Sequence, residues 1–217
     1  MTTPQEKYHQ NRLEQVKAAL EANYFAASIH QTLSEAADHL IKTIIPEGPY
    51  KSVGFGGSAT VAGSGLLQKL GAVPALEIID RNDASLTPEK RTELSRQSLL
   101  VDLFVASSNA LTLDGQLVNI DKFGNRVAAL TFGPKKVALF VGRNKIVVDE
   151  KEAISRAKGT AAAMNALRLG QETPCAKKAK CFDCKAENRL CGISVITHRS
   201  FPKGRIHVLL VNEDLGF

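Results

Sequence analysis

Four cysteines form the most specific chemical pattern in the sequence, and all of them lie between residues 175 and 191. Their spacing is C-x5-C-x2-C-x6-C: Cys175, Cys181, Cys184 and Cys191. A gap of two residues lets the middle thiolates bind one metal, and the outer cysteines can complete four ligands. Five Lys or Arg against two Asp or Glu in this loop favour the thiolate form. We therefore predict a metal site, an iron–sulfur cluster or alternatively zinc, with disulfides or free thiols as the remaining alternative.

A glycine-rich turn over residues 53–60 offers a second kind of chemistry. It reads Val-Gly-Phe-Gly-Gly-Ser-Ala-Thr and lies where a predicted strand gives way to a predicted helix. Glycines let the backbone turn tightly and expose its N–H groups, and two hydroxyls accompany them. We predict that the following residues bind a small anionic ligand: Gly56, Gly57, Ser58 and Thr60. A tight turn in which Ser58 only caps the helix is the structural alternative.

The same turn can be compared with nucleotide-binding motifs. Residues 54–59 fit the dinucleotide pattern G-x-G-x-x-A, and Asp80 ends the next predicted strand, where it could bind a ribose. The pattern is short and has many chance matches, so a NAD-type site is kept as an alternative. No Gly-Lys-Ser/Thr follows the glycines, which excludes a P-loop.

A second polar group follows the predicted strand at residues 103–106. Open α/β sheets bind their ligands at the carboxyl ends of strands, and polar loop residues at such ends often have a function. Turn chemistry does not account well for the polar residues in this part of the chain. We predict that these residues line the ligand site: Ser107, Ser108, Asn109, Asn119 and Asp121.

The elements that must position these groups alternate between helix and strand. Predicted helices cover residues 6–24, 34–45, 58–70, a segment beginning at 88, and 150–169. Predicted strands cover residues 51–55, 76–79, 103–106, 109–112, 116–120, 126–132, 136–141, 193–197 and 205–211. This order predicts a single α/β domain over residues 1–217, with a three-layer, Rossmann-like, mostly parallel sheet. Asp114-Gly115 predicts an antiparallel hairpin addition, and the strands after residue 108 read as an antiparallel insert or meander.

Composition excludes several classes of protein. The net charge is +6 and the pI is near 9.2, but half of the surplus lies in the cysteine loop, so an extended nucleic-acid surface is not expected. Hydrophobic residues at 44% and charged residues at 23% are typical of a globular domain. Neither a signal peptide nor an apolar run of membrane-spanning length is visible, so we expect a cytoplasmic protein.

These motifs together resemble the lactate-utilisation (LUD domain) family. The resemblance rests on residues 56–60, 107–112, 114–121, 124–129, 132–136, 174–191 and 211–217. It implies the fold of the sugar-phosphate isomerase and CoA-transferase superfamily (NagB/RpiA/CoA-transferase-like). It also implies a part in the oxidation of lactate or a similar 2-hydroxy acid, alongside iron–sulfur redox proteins as partners.

One position departs from the pattern of the family. Many members carry Glu just before the turn of the hairpin, where this chain has Leu113. In the related transferases a glutamate in a comparable region is the nucleophile, a role that Leu cannot fill. This favours a non-catalytic binding or assembly subunit with a structural metal as one alternative. A sugar-phosphate or CoA-ester isomerase or transferase, using Asp114 or Asp121, is the other.

Overall fold

The computed structural model describes residues 3–83 and 85–217 and contains two β-sheets with helices packed against them. The strands are β1 (Ala26–His30), β2 (Ser52–Phe55), β3 (Glu77–Ile79), β4 (Leu103–Ala106), β5 (Ala110–Thr112), β6 (Leu117–Asp121), β7 (Lys136–Gly142), β8 (Ile146–Val147), β9 (Ile193–Thr197) and β10 (Ile206–Val211). The α-helices are α1 (Pro4–Ala22), α2 (Leu33–His39), α3 (Ala59–Ala62), α4 (Leu66–Gly71), α5 (Pro88–Gln97), α6 (Asn125–Thr131), α7 (Glu150–Arg156), α8 (Ala162–Arg168) and α9 (Pro174–Lys178). A 3-10 turn covers Arg143–Lys145, and π-type turns cover Leu40–Ile44 and Ala157–Ala161.

The first sheet contains six parallel strands in the order β1-β10-β7-β4-β2-β3. The second sheet has the order β8-β5-β6-β9, in which β6 runs antiparallel to both β5 and β9, and β8 runs parallel to β5. The predicted fold class, a mostly parallel α/β sheet with an antiparallel addition, is confirmed.

Both faces of the parallel sheet are buried, which makes the fold three-layered. Along β7, Leu139 packs into the core on the side of α1, while Phe140 packs into the core on the side of α2 and α4. Side chains of a strand alternate between faces, so a strand buried on both sides reads as a continuous apolar run. Helix α1 contributes Leu13, Val16 and Leu20, whose spacing of three and four residues places them on one side of the helix.

Capping side chains mark where several helices begin. The Oγ1 atoms of Thr32 and Thr87 and the carboxylate of Asp149 accept from the third backbone N–H of their helices, as is typical of N-cap residues. Helix α1 begins earlier than predicted, because Thr3 forms a capping box with Glu6.

Two segments differ from their predicted structure. Residues 126–132 were expected to form a strand, but residues 126–131 lie in α6 and Phe132 is its C-cap; the helix starts after Gly124, which is in the left-handed region at φ 89°. Its buried Val127 and Leu130 are three residues apart, a helical spacing that fits a core-facing side. Residues 136–141, expected in an antiparallel meander, form β7 near the centre of the parallel sheet.

One predicted helix is divided in the structure, and one strand was not predicted. The predicted helix over 58–70 is two helices, because Gly65 lies in the left-handed region at φ 63° between them. Strand β1 was not predicted, and its register with β10 places it at one edge of the parallel sheet. No helix among residues 3–83 and 85–217 is long and apolar enough to cross a membrane.

Candidate anion-binding site

A cavity of about 510 Å³ opens at the carboxyl ends of four neighbouring parallel strands. Its walls come from the segments that follow β2, β3, β4 and β7, together with α6, α8 and the end of β6. Open α/β sheets bind ligands at this edge. Seven of the nine predicted ligand-binding residues line it: Gly57, Ser58, Thr60, Ser107, Ser108, Asn109 and Asp121.

The other two predicted residues support the wall from behind. A Cβ on Gly56 would lie 3.2 Å from Cδ of Arg126, so glycine leaves room for that side chain. Asn119 is 1% exposed, and its Oδ1 accepts from the guanidinium of Arg126 at 2.7 Å and from the N–H of Asn109 at 3.3 Å. Both residues therefore shape the site through Arg126.

The glycine turn is partly occupied by bonds of the fold itself. The N–H of Gly56 donates to the carbonyl of Val105 at 2.9 Å, and Oγ of Ser58 accepts from the N–H of Val61 at 3.3 Å. Helix α3 that follows is a single short turn. Ser58 is thus an N-cap, as in the structural alternative, and it also lines the cavity.

Lys145 joins the two predicted groups and was not found from the sequence. It lies in the 3-10 turn after β7 and is 2% exposed. Its Nζ donates to Oγ1 of Thr60 at 3.1 Å and to Oγ of Ser107 at 2.8 Å. One sequence feature could have identified Lys145, namely its place just beyond the carboxyl end of a central strand. Because residues 136–141 were assigned to a meander, that strand was not recognised as central.

The charge environment of Lys145 is unusual for a lysine. Burial lowers its pKa to about 7, and the nearby positive charges of Arg156 and Arg126 contribute to that lowering. None of the ion pairs among the described residues includes Lys145. A substantial fraction of this amine is therefore neutral near pH 7.

Arg126 holds the wall of the cavity in place. It donates to the carbonyls of Ser107 at 2.9 Å and Ile120 at 2.7 Å, and to Oδ1 of Asn109 at 2.9 Å and of Asn119 at 2.7 Å. These bonds tie the loop after β4 to β6. Because four of its donor contacts are already made, Arg126 positions the wall rather than offering free donors.

Two further arginines each have a donor without a partner among the described residues. Arg81 follows β3 and Arg91 lies in α5, and both line the cavity. Among the described residues, the buried Nε atoms of both side chains have no hydrogen-bond partner. Burial lowers the pKa of Arg81, the charge of Asp121 raises it, and the charge of Arg91 lowers it. Guanidinium groups that line one cavity beside other positive charges favour the binding of an anion there.

The cavity as a whole is strongly cationic. Within residues 3–83 and 85–217, six basic side chains line it against the single carboxylate side chain of Asp121: Arg81, Arg91, Lys122, Arg126, Lys145 and Arg168. The arrangement can bind a carboxylate or a phosphate. Asp80 does not line the cavity, and its carboxylate accepts from Asn82 instead, which gives no support to the dinucleotide alternative.

Comparison with known families adds the identity that the geometry alone does not supply. The sequence profile of the LUD domain matches residues 13–211. The chain belongs to the LUD-domain family. This family is associated with lactate utilisation.

A solved structure similar to this LUD domain is the crystal structure of a DUF162 family protein from Deinococcus radiodurans. The two share 13% sequence identity with a TM-score of 0.50, over 94% of this chain and 98% of that chain. At this identity the likeness shows the fold alone. A comparison with curated proteins finds no match.

Leu113 lies outside the cavity of this LUD domain. It packs against the core that contains α1, and its N–H donates to the carbonyl of Val147 at 2.9 Å. Neither Leu113 nor Asp114 lines the cavity. The departure from the family pattern at this hairpin therefore changes no group in the cationic site.

The four cysteines lie in the loop that packs against α8. Cys175, Cys184 and Cys191 line a narrow cleft of about 10 Å³. All four thiols are free, and within the described residues no group of three or more His, Cys, Asp or Glu is placed to hold a metal ion. The metal site therefore stays a prediction from the cysteine spacing.

Proposed function

We propose that this LUD domain binds a small organic acid or a phosphorylated ligand in the cationic cavity. It would thereby take part in the oxidation of lactate or a similar 2-hydroxy acid. The observation that carries the proposal is the basic lining of the cavity, where Arg81 and Arg91 lie with four other basic side chains. The association of the family with lactate utilisation supports the substrate class.

The charge and shape of the cavity support an anionic ligand of modest size. Guanidinium groups bind carboxylates and phosphates through paired, charge-assisted hydrogen bonds. A volume of about 510 Å³ lies within the range of ligand pockets, which runs from roughly 300 to 1,000 Å³. That volume exceeds the need of lactate alone, so phosphorylated ligands belong in the same test.

Binding can be tested by the thermal stabilisation that lactate, pyruvate, inorganic phosphate and CoA each produce. We expect at least one of them to raise the Tm of the wild type, since a ligand that binds only the folded state stabilises it. Arg81→Gln and Arg91→Gln should each reduce that rise several-fold. Arg96→Gln, on the exposed surface of α5, is the matched control and should respond as the wild type does.

Two results would overturn the binding proposal. One is the absence of any shift in the wild type with all four compounds. The other is an equal shift in Arg81→Gln, Arg91→Gln and Arg96→Gln, which would place the ligand away from the cavity arginines.

The role in lactate oxidation has its own test in the source organism. Deletion of the gene should slow growth on lactate as carbon source and leave growth on an unrelated sugar unchanged. Complementation with the Arg96→Gln variant should restore growth, whereas Arg81→Gln should not. Normal growth of the deletion strain on lactate would contradict the assigned substrate class.

The iron–sulfur cluster, with zinc as the alternative, rests on the cysteine spacing. Protein purified without oxygen should contain iron or zinc by elemental analysis, and an ultraviolet–visible spectrum would separate the two. Cys181→Ser and Cys184→Ser should lower the metal content, because the x2 pair supplies adjacent ligands. Absence of both metals would remove the cofactor and, with it, the argument for iron–sulfur redox partners.

A further inference from the structure

Lys145 combines features that simple anion binding does not require. Its side chain is 2% exposed, yet it lines the cavity, and its two side-chain partners are hydroxyls. Buried lysines are almost always paired with a carboxylate. No ion pair of Lys145 is present among the described residues, and the arginines of the cavity already supply positive charge.

The cations near Lys145 are held in place by the backbone. Arg156 donates to the carbonyl of Asn144 at 3.0 Å, and Arg126 donates to the carbonyl of Ser107 at 2.9 Å. Because both guanidinium groups are anchored, neither can swing away to relieve repulsion with the lysine. A desolvated lysine beside fixed cations is the standard way in which a protein prepares an amine nucleophile.

We propose that Lys145 forms a Schiff base with the carbonyl carbon of a small 2-oxo acid bound in this cavity. The inference rests on the proposed function in that the cavity arginines hold the carboxylate of the acid. Pyruvate, the 2-oxo acid that corresponds to lactate, is the probe.

The reaction balances without any oxidant. The lone pair of neutral Nζ forms a C–N bond to the carbonyl carbon, and the C=O π electrons move to oxygen, which takes up a proton. Nitrogen loses its excess proton, its lone pair forms C=N, and the former carbonyl oxygen leaves with a second proton as water. The sum is amine plus ketone plus one proton giving protonated imine plus water.

The two hydroxyls next to Nζ suit this sequence. Oγ1 of Thr60 and Oγ of Ser107 accept from the ammonium as arranged, and after rotation of the O–H either can donate to the neutral amine. Either hydroxyl can also relay a proton between nitrogen and the carbonyl oxygen. Mutation of Ser107 to Ala should therefore slow imine formation without abolishing it.

A protonated imine makes the neighbouring C3–H bonds of pyruvate acidic, because the electron pair left behind is delocalised onto nitrogen. Loss of a C3 proton to water gives an enamine, and its return gives back the imine. Hydrolysis then releases pyruvate. We expect the wild type to catalyse exchange of the C3 protons of pyruvate with deuterated solvent.

The direct test is trapping with cyanoborohydride, followed by intact mass and peptide mapping. With pyruvate, the wild type and Lys7→Met should gain one adduct that maps to Lys145. Lys145→Arg, which keeps the charge, and Lys145→Met, which suits a buried position, should gain none there. Acetone, which lacks a carboxylate, should label Lys145 at least several-fold more slowly, as should pyruvate with Arg81→Gln.

The outcomes separate this inference from the proposed function. If pyruvate stabilises the wild type but no adduct forms at Lys145, the Schiff base is overturned and anion binding stands. If an adduct forms at Lys145 while no anion stabilises the protein, the Schiff base stands and the arginine site is overturned. Equal labelling of Lys145 and exposed lysines such as Lys7 would also overturn the inference.

Discussion

The Nζ of Lys145 lies 2.8 Å from Oγ of Ser107. This hydrogen bond joins the turn after β7 to the loop after β4 inside the cavity. The two residues are far apart in the chain, and adjacent parallel strands bring them together. This contact places an amine that is partly neutral near pH 7 against the wall that was predicted to bind a ligand.

Replacement of Lys145 by Met should change stability in a pH-dependent way. The lysine has a pKa of about 7 when folded and 10.5 when unfolded, so between these values the unfolded state holds the extra proton. The free energy of unfolding of the wild type therefore rises with pH across this window, and the cost of burial is complete at or below pH 7.

Lys145→Met lacks the free-energy cost of burying a charged amine, which is on the order of a few kcal/mol. Its stability relative to the wild type should be greatest at or below pH 7 and should decline toward pH 10.5. Loss of the bonds to Thr60 and Ser107 shifts the whole difference but not its slope. Urea unfolding at several pH values measures this difference, and Lys7→Met on the exposed surface of α1 is the comparison. A pH-independent difference would contradict the lowered pKa.

Replacement of Arg126 by Lys should destabilise the protein by about 3 kcal/mol, since several buried acceptors lose their partner. A lysine cannot reproduce the planar fork that reaches the carbonyl of Ile120 and the amide oxygen of Asn119 together. The urea midpoint reports the loss, and the exposed Arg96→Lys serves as the comparison. An unchanged midpoint would mean that the wall does not depend on Arg126.

Acid stability should depend on His207 in β10. Burial lowers its pKa to about 3, and the charges of Lys136, His39 and His30 contribute in the same direction. As pH falls from 6.5 toward 3, only the unfolded state takes up this proton, so the free energy of unfolding falls. The loss from this group is about 2 kcal/mol near pH 5.

His207→Gln should flatten that acid dependence, whereas substitution of the exposed His198 by Gln should leave it as in the wild type. Thermal unfolding from neutral to acid pH provides the measurement. Identical acid profiles for the two variants would show that His207 titrates normally in the folded protein.

The hairpin turn should be sensitive to a methyl group. Gly115 has φ 80°, and a Cβ there would lie 2.8 Å from the backbone of α1. Gly204 has φ 75°, and a Cβ there would have no neighbour within 4 Å, so Gly204→Ala isolates the conformational strain. Gly115→Ala should cost about 1 to 3 kcal/mol more than Gly204→Ala. Equal melting temperatures would imply that the hairpin moves away from α1 without loss.

Local sequence patterns were sufficient where a few neighbouring residues settle the structure. Thr87 followed by Pro88 marks the start of α5, and the spacing of Leu13, Val16 and Leu20 marks the buried side of α1. Capping and helical periodicity act over one or two turns, so they can be read without knowledge of the fold. The same holds for polar residues directly after a strand, such as Ser107.

The tertiary structure decided which distant groups share the cavity. Lys145, Arg81 and Arg91 resemble ordinary surface cations in the sequence, and only the order β7-β4-β2-β3 brings their segments to one edge. Burial and the proximity of other charges set their chemistry, and both depend on packing across the whole chain. The sequence by itself thus determined the family, the alternation of elements and most of the polar wall. The order of the strands determined the charge of the cavity.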